Sequence, residues 1–131
     1  MNFYVASKFE NKKAVRNAIN CLEPYGHHVT YDWTVSETIS PLQAQRDLHG
    51  VLTADFTVVL LNYPTSDLIC NCGTGWEQAT QYKGTLIELG AALAMGQFVF
   101  ILGDYLDGHV FYELPQVVRI NELMDVVRFF R

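Results

Sequence analysis

The segment 56–61 is the feature that most constrains the fold. It reads Phe-Thr-Val-Val-Leu-Leu, nearly all β-branched or aliphatic, without the alternation of polar and apolar residues that a half-exposed strand shows. Such a segment is typical of a strand covered on both faces, and therefore of a parallel sheet. Because parallel strands need crossover connections, usually helices, the rest of the chain is expected to alternate between strands and helices.

The chain meets this expectation along its whole length. Helix signals separate the apolar runs: Asn11 precedes an amphipathic segment that ends before Pro24, and Ser40-Pro41 forms a favourable start for a second helix. A third helix is predicted over 85–95 with Gly96 as its stop, and a last one ends near Phe130. Strands are predicted over 2–6, 28–33, 56–61, 98–102 and 117–120.

This βαβαβαββα pattern predicts one α/β domain over residues 1–131. The expected architecture is a single doubly wound, parallel five-stranded sheet in the order 2-1-3-4-5, with right-handed crossovers and helices on both faces. Its length of 131 residues suffices for a core without disulfides.

Composition excludes several classes of protein. Hydrophobic residues make up 50% of the chain and charged ones 18%, which rules out disorder. A net charge of −5 makes duplex nucleic acid an unfavourable partner. The most apolar stretch, 89–102, is too short to span a membrane, and residues 1–8 lack an apolar signal core, so we expect a cytoplasmic protein.

Topology indicates where a ligand would bind. In doubly wound sheets ligands occupy the crevice beyond the carboxyl ends of the strands, at the switch between the first and third strands. The candidates for substrate binding at and after these strand ends are Tyr4, Ser7, Lys8, Phe9, Asp32, Trp33, Asn62, Tyr82, Gly84 and Thr85.

Glu88 is the most informative carboxylate, and it has two interpretations. It follows Thr85 by three residues, the spacing of a capping box in which Glu88 bonds back to the Thr85 backbone N–H. The same position would place an ionised carboxylate, stabilised by backbone donors and the helix dipole, at the mouth of the sheet as a nucleophile.

Two further acidic positions also leave alternatives open. Asp47 lies in the middle of the second helix and is either a solvated residue or a functional one. Asp32 and Trp33 are either an acid and a stacking ring at the crevice, or a turn residue and a core residue.

Metal and dinucleotide sites are poorly supported. Cys70 and Cys72 form a C-x-C pair without a second pair at ligand spacing, so no metal is expected. Residues 6–9, the predicted first turn, contain no glycine, which argues against a Rossmann-type NAD site. We expect no cofactor.

Three segments carry a resemblance to a known family. They are residues 3–9 (FYVASKF), residues 47–55 (DLHGVLTAD) and residues 84–96 (GTLIELGAALAMG). In these the chain resembles the nucleoside 2-deoxyribosyltransferases, a group that includes the 2'-deoxynucleoside 5'-phosphate N-hydrolases. The resemblance implies a flavodoxin-like sheet and a retaining, double-displacement cleavage of an N-glycosidic bond.

The resemblance also implies roles for individual residues. Glu88 matches the nucleophile that attacks C1' of the deoxyribose, and Asp47 matches the aspartate linked to protonation of the departing base. The partners implied are a small deoxynucleoside or deoxynucleotide and a free nucleobase, and the sugar passes to another base or to water.

The chain departs from the family pattern at three positions. Phe3 stands where a tyrosine is usual, so the hydroxyl near the nucleophile is missing unless Tyr4 or Tyr82 replaces it. Tyr82 also stands where transferases carry a second aspartate and monophosphate hydrolases a serine. Phe9 replaces an arginine used for the 5'-phosphate, which leaves Ser7 and Lys8 as the anion contacts.

Two other functions are compatible with the same sequence. One is a nucleotide-binding protein of this fold without turnover, and the other is cleavage of a ribosylated signal such as NAD. The resemblance further implies a homo-oligomer, at least a dimer, with the loop 104–114 reaching toward the adjacent site.

Overall fold

The protein is described by a computed structural model over residues 1–37, 40–61, 83–103 and 110–131. A five-stranded sheet has the order β2-β1-β3-β4-β5, and every neighbouring pair is parallel. The strands are β1 (Asn2–Ala6), β2 (His28–Val29), β3 (Phe56–Leu60), β4 (Phe98–Leu102) and β5 (Val117–Ile120). The predicted fold class and strand order are confirmed.

Helices lie on both faces of the sheet. Those described are α1 (Lys12–Leu22), α2 (Pro41–Leu52), α3 (Lys83–Ala94) and α4 (Met124–Phe129). Helix α1 contacts α4, and α2 contacts α3, so the two pairs form separate layers. Among the residues described, no helix combines the length and apolar character needed to cross a membrane.

The α1/α4 face of the sheet holds an aromatic core. Phe3 stacks on Phe56 with ring centroids 5.7 Å apart, and Phe56 packs against Phe100 and Phe130 at 5.5 and 5.0 Å. Phe3, Phe56 and Phe100 are fully buried. Large rings in such edge and stacked contacts bury much apolar area and fix this face as a packing surface.

Local signals set several element boundaries as predicted. The Ser40 hydroxyl accepts a hydrogen bond from the Gln43 backbone N–H, and Pro41 opens α2. Gly96, predicted as the stop of α3, has a φ of 71°, a left-handed conformation that favours glycine.

The second strand is shorter than predicted. Residues 28–33 alternate in polarity, yet only His28–Val29 pair with β1, and Trp33 lies in a 3-10 turn. The Trp33 indole N–H donates to the Val5 carbonyl at 2.8 Å. That bond and burial of the ring draw the chain out of strand pairing.

The sheet register brings the functional ends together. Ala6 at the end of β1 pairs with Val59 of β3, and Leu60 at the end of β3 pairs with Leu102 of β4. Three neighbouring strands therefore end at one edge. Helix α3 starts after the segment that follows β3, and its buried residues contact the sheet there.

Candidate active site

Glu88 lies inside α3 and not at its cap. The helix begins at Lys83, two residues before Thr85, so Thr85 cannot be the N-cap of a capping box. Thr85 is 1% exposed, and its hydroxyl has no hydrogen-bond partner. The capping-box interpretation is therefore wrong. Glu88 occupies the second turn, on the same side of the helix as Thr85.

The Glu88 carboxyl is a buried group on a partly exposed residue. Its Oε2 atom is buried and lacks a hydrogen-bond partner. Its Oε1 atom lies 4.0 Å from the position that a Cβ on Gly84 would take. The carboxyl therefore turns back toward the first turn of α3, over a residue without a side chain.

Tyr4 faces Glu88 from β1. Phe3 points to the opposite side of the sheet, whereas the Tyr4 ring lies on the α2/α3 side and is fully buried. The Tyr4 hydroxyl and the Glu88 carboxyl interact closely enough that each shifts the pKa of the other, yet no hydrogen bond of ordinary length joins them. Tyr4 thus supplies a hydroxyl that Phe3 lacks, while Tyr82 lies outside the described residues.

Three buried side-chain oxygen atoms near Glu88 lack a hydrogen-bond partner. Within the described part of the chain, the buried side-chain nitrogen and oxygen atoms without a partner are Tyr4 Oη, Thr85 Oγ1 and Glu88 Oε2. Nearly all buried polar atoms in proteins are hydrogen-bonded, because leaving one unpaired costs roughly 1–3 kcal/mol. An unpaired group on each of these three side chains indicates a place prepared for a polar ligand.

Burial controls the protonation of these groups. Loss of solvent raises the pKa of Glu88, interaction with Tyr4 opposes the rise, and the nearby Asp47 adds to it, so that the resulting pKa is about 8. Burial and the negative charges of Glu88 and Asp47 hold the pKa of Tyr4 far above its usual range. Glu88 therefore keeps its proton near neutral pH without a ligand, which differs from the ionised state expected from the helix dipole.

Asp47 lies on the inner side of α2, in a polar relay. Its Oδ1 accepts a hydrogen bond from the Gln43 amide at 2.9 Å, and the Gln43 carbonyl accepts one from the Tyr31 hydroxyl at 3.1 Å. Burial raises the pKa of Asp47, and the Gln43 hydrogen bond partly offsets the rise. Electrostatic coupling of Asp47 to both Tyr4 and Glu88 places it at the same site.

Gly50 makes room for the tyrosine. A Cβ on Gly50 would lie 2.9 Å from Tyr4 Cδ2 and 2.9 Å from Tyr31 Cβ, closer than atoms in contact approach. Any larger residue would push the Tyr4 ring away. The glycine in the motif of residues 47–55 is thus explained by close packing of α2 on β1.

The residues after β1 are used within the fold. The Ser7 hydroxyl donates to the Leu60 carbonyl at 2.8 Å and accepts from the Asn11 amide at 2.9 Å. Its single proton is therefore not free for an anion. Lys8 is buried, and Phe9 is exposed with the Lys12 ammonium 4.1 Å from its ring centre.

Asp32 and Trp33 follow the structural alternative. The Asp32 carboxylate accepts from the backbone N–H of Thr34 at 3.0 Å and from its hydroxyl, and so caps the 3-10 turn. Trp33 is 6% exposed and bonded to β1, so it is a core residue instead of a stacking surface. Both residues therefore have structural roles in the fold, and their predicted ligand roles stay predictions.

Some of the remaining predicted residues lie near Glu88, and the others lie outside the residues that the structure describes. Gly84 and Thr85 lie beside Glu88, as stated above. Asn62 and Tyr82 lie outside the described residues, as do Cys70 and Cys72. Within the described ranges, no group of three or more histidine, cysteine, aspartate or glutamate residues could hold a metal ion.

Two residues of the candidate site, Gln43 and Tyr31, were not predicted from the sequence. Gln43 precedes Asp47 by four residues, the spacing that brings two side chains together on a helix, and this signal was available. Tyr31 comes from the segment after β2, and no local pattern connects it to α2. Its contact with Gln43 depends on how the two elements pack.

Comparisons with known proteins support the fold. The chain matches no protein-family model. It also matches no curated protein sequence. Among solved structures it is similar to the CMP N-glycosidase BcmB of Clostridium botulinum, with a TM-score of 0.61 and 21% identity over 99% of this chain and 98% of that one. At this identity the likeness establishes a shared α/β fold over the full length.

Proposed function

We propose that the protein cleaves the N-glycosidic bond of a 2'-deoxynucleoside or its 5'-monophosphate through a covalent deoxyribosyl–Glu88 intermediate. The observation that carries the proposal is the presence of unpartnered buried polar atoms on Tyr4, Thr85 and Glu88. The structural neighbour, named a CMP N-glycosidase, breaks the same type of bond, which supports the reaction class.

The chemistry assigns one carboxyl to each face of the sugar. In the reactive state the two carboxyl groups hold one proton, which is on Asp47, and Glu88 is ionised. A Glu88 oxygen attacks C1', while the C1'–N bond breaks and its electron pair leaves with the base. Asp47 supplies the proton that neutralises the departing base. Water or a second base then attacks C1', Glu88 leaves, and Asp47 takes up the proton of the attacking group.

Tyr4 supports the ionised nucleophile. Its raised pKa keeps the phenol protonated, so it is a hydrogen-bond donor near neutral pH. Donation to an ionised Glu88 stabilises the negative charge in a site where burial opposes it. The same hydroxyl can turn to a sugar oxygen while Glu88 is esterified.

Product analysis tests the proposal. The protein is incubated with dCMP, CMP, NAD and the four deoxynucleosides, with and without a free acceptor base, and the products are separated by chromatography. Free base released alone identifies a hydrolase, and exchanged base identifies a transferase. CMP is the ribonucleotide comparison, because the structural neighbour is named a CMP N-glycosidase. Binding without any product would contradict the proposal in favour of a non-catalytic binder, and nicotinamide released from NAD would favour a glycohydrolase.

Trapping the intermediate tests the nucleophile. Rapid quenching with a slow substrate is expected to leave a deoxyribosyl group on the peptide that contains Glu88, detected by mass spectrometry. The Glu88→Gln variant should carry none. Glu23→Gln, the same change at an exposed position, is the matched control and should behave as the wild type.

We also propose that the protein forms a homo-oligomer. Helices α2 and α3 contact each other. The exposed apolar side chains of this region are Leu48 and Leu52 on α2, Ile87 on α3, and Met95 directly after α3. Ile87 is 67% exposed on a helix that is apolar on most sides, and such a helix is normally covered. Sedimentation at micromolar concentration should give at least a dimer, and a fully active monomer would contradict this. The predicted contribution of 104–114 falls largely outside the described residues.

A further inference from the structure

Gln43 is the polar residue in the site that the proposed chemistry does not yet use. It lies one turn before Asp47 on α2, and its side chain joins Asp47 to Tyr31. The two hydrogen bonds are 2.9 and 3.1 Å long, and all three side chains are partly buried.

The relay fixes which end of the amide meets the carboxyl. A glutamine side chain has one carbonyl and one NH₂ group, on opposite sides of its end carbon. Because the carbonyl accepts from the Tyr31 hydroxyl, the NH₂ group points at Asp47. Asp47 Oδ1 is then occupied by an N–H donor, so a proton on Asp47 belongs on Oδ2.

We propose that Gln43, held by Tyr31, is a positioning residue that fixes the Asp47 carboxyl and confines its proton transfer to Oδ2. The inference rests on the proposed function, in which Asp47 exchanges a proton with the base. A general acid that could rotate and carry its proton on either oxygen would present it to the base only part of the time.

The effect of removing the relay on the pKa of Asp47 depends on the other groups around this carboxyl. Among the described residues, Glu88 on α3 and Tyr4 on β1 are electrostatically coupled to it, and neither donates a hydrogen bond to it. Gln43 is the side chain that stabilises the ionised form of Asp47, against the burial that disfavours it. Loss of the amide is therefore expected to raise the pKa of Asp47 further.

Matched substitutions separate the relay from general effects on the helix. Gln43→Met keeps the length of the side chain and removes both hydrogen bonds, and Tyr31→Phe removes only the hydroxyl that orients the amide. Gln45→Met makes the same chemical change at an exposed position of α2 and is the control.

The first measurement does not depend on turnover. In protein labelled with ¹³C at aspartate carboxyl groups, the Asp47 signal is assigned by its loss in Asp47→Asn and followed against pH. We expect its titration to move to higher pH in Gln43→Met, to move less in Tyr31→Phe, and to stay unchanged in Gln45→Met. A folded Gln43→Met protein with an unchanged Asp47 titration would overturn the inference.

The second measurement is the leaving-group dependence of cleavage. With a base that leaves poorly, Gln43→Met should lower kcat about tenfold, the effect of losing one hydrogen bond to a charged group. With an activated base the loss should be small, and KM should change little. Equal losses with both bases would overturn the inference. A wild-type protein that cleaves neither substrate would instead overturn the proposed function, whatever the titration shows.

Discussion

Neighbouring residues of β1 serve opposite purposes on the two faces of the sheet. Phe3 stacks in the aromatic core between the sheet and helices α1 and α4, where its contacts are complete. Tyr4, one position later, is equally buried, yet its hydroxyl has no partner and faces Glu88 and Asp47. One face is thus closed by packing, and the other carries buried polar atoms without hydrogen-bond partners, which we propose are completed by a ligand.

The difference also separates two kinds of polar residue. Buried polar groups in the supporting structure are paired: Gln97 donates to the Val51 carbonyl at 2.7 Å and accepts from the Thr57 hydroxyl at 2.8 Å. Tyr4, Thr85 and Glu88 each retain an unpaired atom. These unpaired atoms lower the free energy of unfolding. Substitutions that remove them should therefore lower activity and raise stability.

Among the substitutions at the site, Glu88→Gln should have the largest effect on activity. An amide cannot form the glycosyl ester, so we expect a loss of at least about a thousandfold in kcat. The folded pKa of about 8 lies above the ordinary 4.5, so the folded state holds a proton that the unfolded state releases between these values. Wild-type stability therefore falls as pH rises from 4.5 to about 8, whereas the variant lacks this loss.

Thermal unfolding at two pH values checks the predicted difference in stability between the wild type and Glu88→Gln. Near pH 4 the two proteins should melt at nearly the same temperature. At pH 8 we expect Glu88→Gln to melt higher by about 3 °C or more, the change that roughly 1 kcal/mol produces in a domain of this size. A variant that is active, or that melts lower at pH 8 than the wild type, would contradict the assignment of Glu88.

Asp47→Asn should have the next largest effect, and one that depends on the base. With a poorly leaving base we expect a roughly hundredfold loss in kcat/KM, and with an activated base a small one. The wild type should show a bell-shaped pH profile, because activity needs one proton on the pair: with both groups protonated Glu88 cannot attack, and with both ionised Asp47 has no proton to give.

The pH profile of the variant sharpens the test. With an activated base, Asp47→Asn needs only an ionised Glu88, so its kcat/KM should rise with pH to a plateau and not fall above pH 8. Steady-state rates between pH 5 and 10 measure this. Persistence of the alkaline fall would assign that limb to another group.

Tyr4→Phe should have the smallest effect of the three, and Phe3→Leu is its natural counterpart. Removal of the Tyr4 hydroxyl should lower kcat roughly tenfold and leave stability unchanged or slightly higher, because the buried hydroxyl has no partner in the unliganded fold. Phe3→Leu should leave kcat unchanged and lower the free energy of unfolding by about 1 kcal/mol. Urea denaturation measures the free energy of unfolding of both variants, and steady-state kinetics measures their kcat. Equal effects of the two substitutions on both quantities would contradict the difference between the two faces of the sheet.

The sequence alone determined the order of elements and the edge at which the site lies. The apolar run in β3, the Ser40-Pro41 start of α2 and the Gly96 stop of α3 are local signals, and local signals act through backbone conformation and side-chain periodicity. Together with the general rules for crossover connections, they predict the parallel sheet in the order 2-1-3-4-5 that the structure has.

Only the tertiary structure decided which polar groups are available for chemistry. Ser7, Asp32 and Trp33 follow strand ends as predicted, but their hydrogen bonds are used within the fold. Tyr4 supplies the hydroxyl because β1 turns it toward Glu88. These outcomes, and a Glu88 pKa of about 8, depend on burial and on contacts between residues far apart in the chain, which no local pattern encodes.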